Sequence, residues 1–200
     1  MVPEIYSAGL MSQSFWFVEL KKVIPMVEEG KTQDKIKRYC INENLFGAVN
    51  ANRSRRVTNY ITNRVMTLDK TEIQLFQTSD LSTQKLINLI AILRTDRLFF
   101  EFIYEVYRER KLLGFNEITN ADVNQFFRSK GAQEPLIEGW IDSTKTRLRG
   151  IYYTFMTDAG LLTTENRKHM ITPPLLDIAL ERYLEAKGET AVIKAITGVN

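Results

Sequence analysis

From Leu81 to Leu113 apolar side chains recur every three or four residues: Leu86, Leu89, Ile90 and Leu93, then Phe99, Phe102, Ile103, Val106 and Tyr107. This spacing lines up one broad helical face, as expected of a central core around which other elements pack. Thr95 and Asp96 cap helices better than they propagate them, so they can divide the run in two. Shorter amphipathic stretches precede it. Ser14 to Glu29 places Phe15, Val18, Val23, Ile24 and Val27 at helical spacings, with Pro25 expected to kink or end the helix. Thr32 is placed to cap a helix Gln33 to Glu43 whose apolar side is Ile36, Tyr39 and Cys40. A link closed by Asn44-Leu-Phe-Gly47 leads to a helix Asn52 to Leu68 with Val57, Tyr60, Ile61, Val65 and Leu68 inward. A short helix Lys70 to Gln77 then stops before Ser79-Asp80, two good caps.

Beyond Gly114, Thr119-Asn-Ala-Asp122 resembles a capping box for a helix reaching Arg128, with Gly131 as its stop. Pro135 opens a short helix through Trp140. Ser143 is the expected N-cap of a helix Lys145 to Ala159 that buries Leu148, Ile151, Tyr152, Phe155 and Ala159. Leu161-Leu162 and Met170-Ile171 flank a polar stretch Thr163 to His169, which reads either as a two-strand wing or as a loop. Pro173-Pro174 leads into a last helix from Leu175 to Ala186. The fold class is mainly α: a compact helical protein with two helix-turn-helix-like motifs around a long central helical core, and a short β-wing near the C-terminus as an option. Three regions follow, at 1–80, 81–114 and 115–200.

Composition changes this picture little. The 200 residues are 44% hydrophobic and 26% charged, ordinary for a globular chain, and the formal net charge is only +3. Bulk charge therefore argues for no polyanionic partner, but its distribution does, because Lys31 to Lys70 is locally basic. Cys40 is the single cysteine, which excludes an internal disulfide, and the N-terminus lacks a secretory pattern, so a cytoplasmic location is expected. The most apolar run, Leu86 to Leu93, is far shorter than the roughly 20 residues of a membrane span. No membrane partner is expected.

Two helices carry the candidate chemistry. On Asn52 to Leu68, about 100° of rotation per residue turns Arg55, Asn59, Thr62 and Met66 outward, with Arg56 and Asn63 beside them and Arg53 at the start. Arginine can bind phosphate or guanine and asparagine can pair with adenine, so this face suits a DNA groove. Arg64 falls inward, where packing or ion pairing is expected. On the second helix Thr146, Gly150, Tyr153 and Thr157 point away from the core, flanked by Arg147 and Arg149, with Lys145 near the N-terminus; Arg167 and Lys168 stand in the polar turn. Two flanking cations with a small residue between them suit a helix that straddles a phosphate backbone. A solvated charged face explains the same residues, and an ordinary flexible spot explains Gly150.

Nothing points to catalysis. His169 is the only histidine, has no local Cys or carboxylate pair of metal-site type, and reads as a surface residue. Cys40 sits on an apolar side where a small buried hydrophobe is expected. Phosphate-binding glycine loops and nucleophile elbows are missing from the sequence. Asp96, Glu101 and Glu105 interleave with Arg94, Arg97 and Arg108, a pattern of internal ion pairing. No enzyme activity, metal or cofactor is expected.

Three stretches carry a resemblance: Tyr6-Ser-Ala-Gly-Leu10; Lys85-Leu-Ile-Asn-Leu-Ile-Ala-Ile-Leu-Arg-Thr-Asp-Arg-Leu-Phe-Phe-Glu-Phe102 on to Val106-Tyr107-Arg108; and Gly160-Leu-Leu162 followed by Pro173-Pro-Leu-Leu176. With these the chain resembles the BrxA family, core components of BREX bacteriophage-exclusion systems, over nearly its whole length. That resemblance implies a small helical protein with two helix-turn-helix motifs that binds double-stranded DNA. It also implies other BREX proteins as partners, including a DNA methyltransferase and large ATPases. The expected function is a non-catalytic DNA-binding component that contacts duplex largely through phosphates. A protein-interaction adaptor of the defence complex and a transcription regulator of its operon are the alternatives.

Overall fold

In the computed structural model, which describes residues 4–199, the long apolar run breaks at Thr95-Asp96. The Asp96 carboxylate accepts the Phe99 N–H at 2.9 Å and starts a new helix. The same point separates two compact units, Phe15–Thr95 and a second that joins residues up to Ser14 with those from Asp96 onward. The stretch 81–114 is thus shared between two cores.

The unit Phe15–Thr95 holds α1 (Phe17–Glu28), α2 (Gln33–Asn42), α3 (Ala51–Val65), α4 (Lys70–Thr78) and α5 (Leu81–Leu93). Helices α3, α4 and α5 start where short polar side chains answer the free N–H groups of a first turn. Asn50 accepts from the Arg53 N–H at 2.8 Å, and Asp80 accepts from the Thr83 N–H at 2.8 Å. Asp69 and Glu72 form a reciprocal capping box on α4. Thr32 occupies the cap position of α2 with no side-chain capping bond. Helix α1 does not end at Pro25, which lies on the solvent side, where water can take the carbonyl it leaves unpaired. Tyr39 is 47% exposed, so the apolar side of α2 is narrower than predicted and rests on Ile36 and Cys40.

Helix α5 is buried all round from Leu86 to Leu93 and packs on α1, α3 and α4. Several buried polar groups in this unit are answered, although the buried Ser54 and Thr58 hydroxyls have no hydrogen-bond partner among the described residues. The Asn88 amide and the Arg64 guanidinium both donate to the Phe15 carbonyl, at 2.9 and 2.8 Å. Arg94 meets the Glu72 carboxylate through two nitrogens, one bond being 3.0 Å, and also donates to the Thr67 carbonyl at 2.9 Å.

The second unit opens on a 3-10 turn, Gly9–Ser12, and continues with α6 (Arg97–Phe102), a π-helical turn (Ile103–Tyr107) and α7 (Arg108–Leu112). Then follow β1 (Glu117–Ile118), α8 (Asn120–Gln133), α9 (Pro135–Glu138), α10 (Asp142–Ala159), β2 (Leu162–Glu165), β3 (Lys168–Ile171), α11 (Ile178–Ala186) and α12 (Thr190–Thr197). Strand β1 and helix α12 were not expected from the sequence. Two residues carry no periodicity, and α12 lies beyond Gly188, which reads as an ending.

The capping box Thr119/Asp122 forms as predicted. Helix α8 nevertheless runs through Gly131, which is buried with its Cβ position 3.4 Å from the Glu138 backbone, so the glycine serves a close approach of α9 rather than a stop. Helix α11 starts at Ile178 after the Asp177 cap, later than predicted. The aromatic core stacks Phe99 on Tyr152 at 4.8 Å between ring centroids and Phe102 on Tyr152 at 4.9 Å, with Phe126 and Phe127 alongside.

The three strands form an antiparallel sheet in the order β1-β3-β2. Ile118 and Thr164 both pair with His169, and Leu162 pairs with Ile171. Of the two readings of Thr163–His169, the wing holds. Only Asn166 and Arg167 form the turn, at φ 49° and 65°. Positive φ at both positions is the signature of the tight turn that matches strand twist.

Candidate nucleic-acid interface

On α3 the exposed residues are Ala51, Asn52, Arg53, Arg55, Arg56, Asn59 and Asn63, with Met66 exposed just past its end. Arg53 and Arg56 line a shallow recess with Val49, Asn50 and Asn52 at the helix start. Asn63 accepts from the Gln33 amide of α2 at 3.0 Å, which holds its carboxamide beside the helix. Thr62, expected outward, is buried, and its hydroxyl donates to the Thr58 carbonyl at 2.8 Å. The inner face is polar as well as apolar, since Ser54, Thr58 and Thr62 are all buried, and this misled a rotation set by Val57, Ile61 and Leu68 alone.

Arg64 packs inward as expected, under the ring of Trp16 at 5.3 Å. Burial pushes its guanidinium down to about 9, against an opposing pull from the Glu19 carboxylate.

On α10 the side chains of Thr146 and Arg147 are exposed, and Lys145 and Arg149 are half-exposed. Asp142 begins the helix and Ile141 holds the cap position with no side-chain capping bond, so Ser143 is not the cap. Lys145, Thr146 and Arg149 share an open cleft of about 360 Å³ with Asn124 and Arg128 of α8, two residues the sequence reading missed. The signal was available, because Asn124 and Arg128 are four apart on a helix and so share a face. Gly150 faces open space, with no atom within 4 Å of its Cβ position.

Tyr153 is a clear correction. It was placed on the outward face, yet it is 6% exposed and stacked on His169 of β3 at 3.7 Å between ring centroids. The hairpin folds back over that side of α10 and covers it. His169 is accordingly half-buried rather than a surface residue, and its burial lowers the imidazole below its ordinary range. Burial likewise pushes the Tyr153 phenol up to about 12.

At the hairpin tip Arg167 is exposed, while the Lys168 ammonium lies 3.4 Å from the Glu117 carboxylate of β1. Arg53, Arg55, Arg56, Lys145, Arg147 and Arg167 make no ion pair among the described residues. The expected ion pairing around Asp96, Glu101 and Glu105 is present in part. Glu101 meets Arg97 at 2.7 Å and Lys130 at 2.6 Å, and Lys130 also meets Glu105 at 2.6 Å. Cys40 is fully buried, and burial raises its thiol. No group of three or more His, Cys, Asp or Glu side chains suited to a metal occurs among the described residues, and no helix there is long and apolar enough to cross a membrane.

These features define a mainly helical protein whose distinguishing surfaces are two exposed basic helices, one of them followed by a β-hairpin. The BrxA family model matches residues 4–188, and the chain belongs to that family. A relative named BREX protein BrxA from Bacillus cereus (strain H3081.97) is 30% identical over 195 residues, covering 98% of each chain. Another BREX protein BrxA, from Paramagnetospirillum magneticum (strain ATCC 700264 / AMB-1), is 22% identical over 193 residues, 96% of each. The crystal structure of an uncharacterized protein from Magnetospirillum magneticum shares the fold with a TM-score of 0.82 at 19% identity, over 97% of this chain and 99% of that one.

Proposed function

We propose that this protein is a non-catalytic, cytoplasmic DNA-binding component of a BREX bacteriophage-defence system, gripping duplex chiefly by its phosphates. The observation that carries the reading is the course of the chain from α8 to β3. A bracing helix, a helix whose exposed side bears Lys145, Arg147 and Arg149, and a hairpin tipped by Arg167 follow one another in the order of a winged helix-turn-helix. In that arrangement α10 enters the major groove and the hairpin tip reaches the flanking backbone. The pair α2 and α3, with Arg53, Arg55, Arg56 and Asn59, forms a second contact surface of the helix-turn-helix kind. Its partners in the cell are other BREX proteins, in keeping with the names of the relatives, and the family resemblance adds a DNA methyltransferase and large ATPases to them.

Titration of the purified protein on a labelled random-sequence duplex over a salt series tests the reading. Log K should fall linearly with log salt, with a slope of about −0.9 for each phosphate neutralised. Absence of duplex binding, with assembly into the defence complex intact, would replace the reading with an adaptor role. Strong preference for operon promoter DNA over random duplex would replace it with transcription regulation.

A further inference from the structure

The cleft between α8 and α10 gathers three cations on one open surface of the second unit. Arg128 of α8 and Lys145 and Arg149 of α10 share it, with the Asn124 amide and the Thr146 hydroxyl between them and Asp142 as the one carboxylate. Three cations against one acid leave a net positive recess. Like charges brought together on two helices repel one another, and none of the three forms an ion pair among the described residues. Arg149 reaches only the neutral Asn124 oxygen, at 3.4 Å, and Arg128 only the neutral Gln125 oxygen, at 2.8 Å. Phe127, 3% exposed, belongs to the same lining and helps fix α8 against the core. Donors on a fixed scaffold lose little freedom when an anion arrives.

We propose that this cleft seats one phosphodiester of the DNA backbone, with Arg128 as the cation that the bracing helix contributes. The site rests on the DNA-binding reading and adds a contact from α8 to the helix that faces the groove. Its recess takes a tetrahedral oxyanion between guanidinium, ammonium and amide donors, which are the groups that hold phosphate oxygens without reading bases. The cleft therefore sets the register of α10 on the duplex and contributes nothing to sequence preference.

The test is a salt-series titration of wild type, Arg128→Gln and Lys145→Gln on a random duplex, with Arg182→Gln, an exposed arginine on α11, as a charge-matched control. Each cleft variant should shed one phosphate contact and reduce the salt slope by about 0.9, so that between 50 and 200 mM salt wild type loses about 3.5-fold more affinity than the variant does. Arg182→Gln should match wild type. An unchanged slope in both cleft variants, with wild type still bound, would overturn the cleft and leave the DNA reading standing. Failure of wild type to bind duplex would overturn both.

Discussion

Helices α3 and α10 present similar chemistry to solvent and rest on different interiors. Beneath α3 the buried set mixes Ser54, Thr58, Thr62 and Arg64 with Val57, Ile61 and Val65. Beneath α10 it is Leu148, Tyr152, Tyr153, Phe155, Met156 and Ala159. The unit that carries α3 answers its buried charges with partners, Arg94 with Glu72 and Arg64 with the Phe15 carbonyl. The unit that carries α10 pairs buried Lys130 with Glu101 and Glu105 but gives the buried Asp96 carboxylate a backbone N–H as its capping donor. A basic outer face therefore says little about what supports it, and the two units should respond differently when that support is altered.

The largest response belongs to the first unit. Glu72→Ala removes the carboxylate that meets Arg94, whose side chain is 5% exposed, through two nitrogens, and it also removes half of the α4 capping box. Loss of about 3–5 kcal/mol is expected, read as a fall in the denaturation midpoint. A loss below about 1 kcal/mol would show that the pair does not hold this unit together.

Asp96 should behave in the opposite sense. Burial pushes its carboxyl up to about 6, from about 4 in the unfolded chain. At pH 8 it is ionised in both states and its burial costs stability. As the pH falls through about 6 the folded protein binds the proton first, and stability is regained down to about pH 4. Asp96→Asn keeps an oxygen for the Phe99 N–H, so it should stabilise by about 1–3 kcal/mol at pH 8 and much less at pH 5. Thermal melts at the two pH values would contradict this by showing equal shifts, or destabilisation at pH 8.

The smallest effect separates stability from function at the hairpin. Arg167 holds φ at 65°, where an L side chain costs about 1 kcal/mol and glycine costs none. Arg167→Gly should raise the melting temperature slightly while weakening duplex binding several-fold and reducing the salt slope by about 0.9. Unchanged affinity would make the tip a turn and nothing more.

Much of this arrangement was legible in the sequence. Caps gave it away where side chain answers backbone locally, as at Asp80, Asp96, and Thr119 with Asp122. Amphipathic spacing placed Arg64 inward and Arg55 and Arg56 outward. Most of the misreadings come from contact between residues distant in sequence, Thr62 being the exception. Tyr153 is covered by a hairpin sixteen residues further on, at His169. Gly131 looks like a stop until α9 lies against it. Thr62 looks like a surface residue until its hydroxyl turns to its own helix. Strand β1 exists only because β3 pairs with it, and the α8–α10 cleft exists only because two helices pack.

The most direct measurement compares duplex affinity over a salt series for wild type, Arg147→Glu/Arg149→Glu and Arg55→Glu/Arg56→Glu, with folding checked by circular dichroism. Each reversal should leave the fold intact, since all four arginines are exposed or half-exposed. The α10 pair should lower the salt slope by about 1.8, the amount expected for two lost phosphate contacts, and the α3 pair by less. Binding unchanged in both folded variants would contradict the assignment of these helices as the DNA-contacting surfaces.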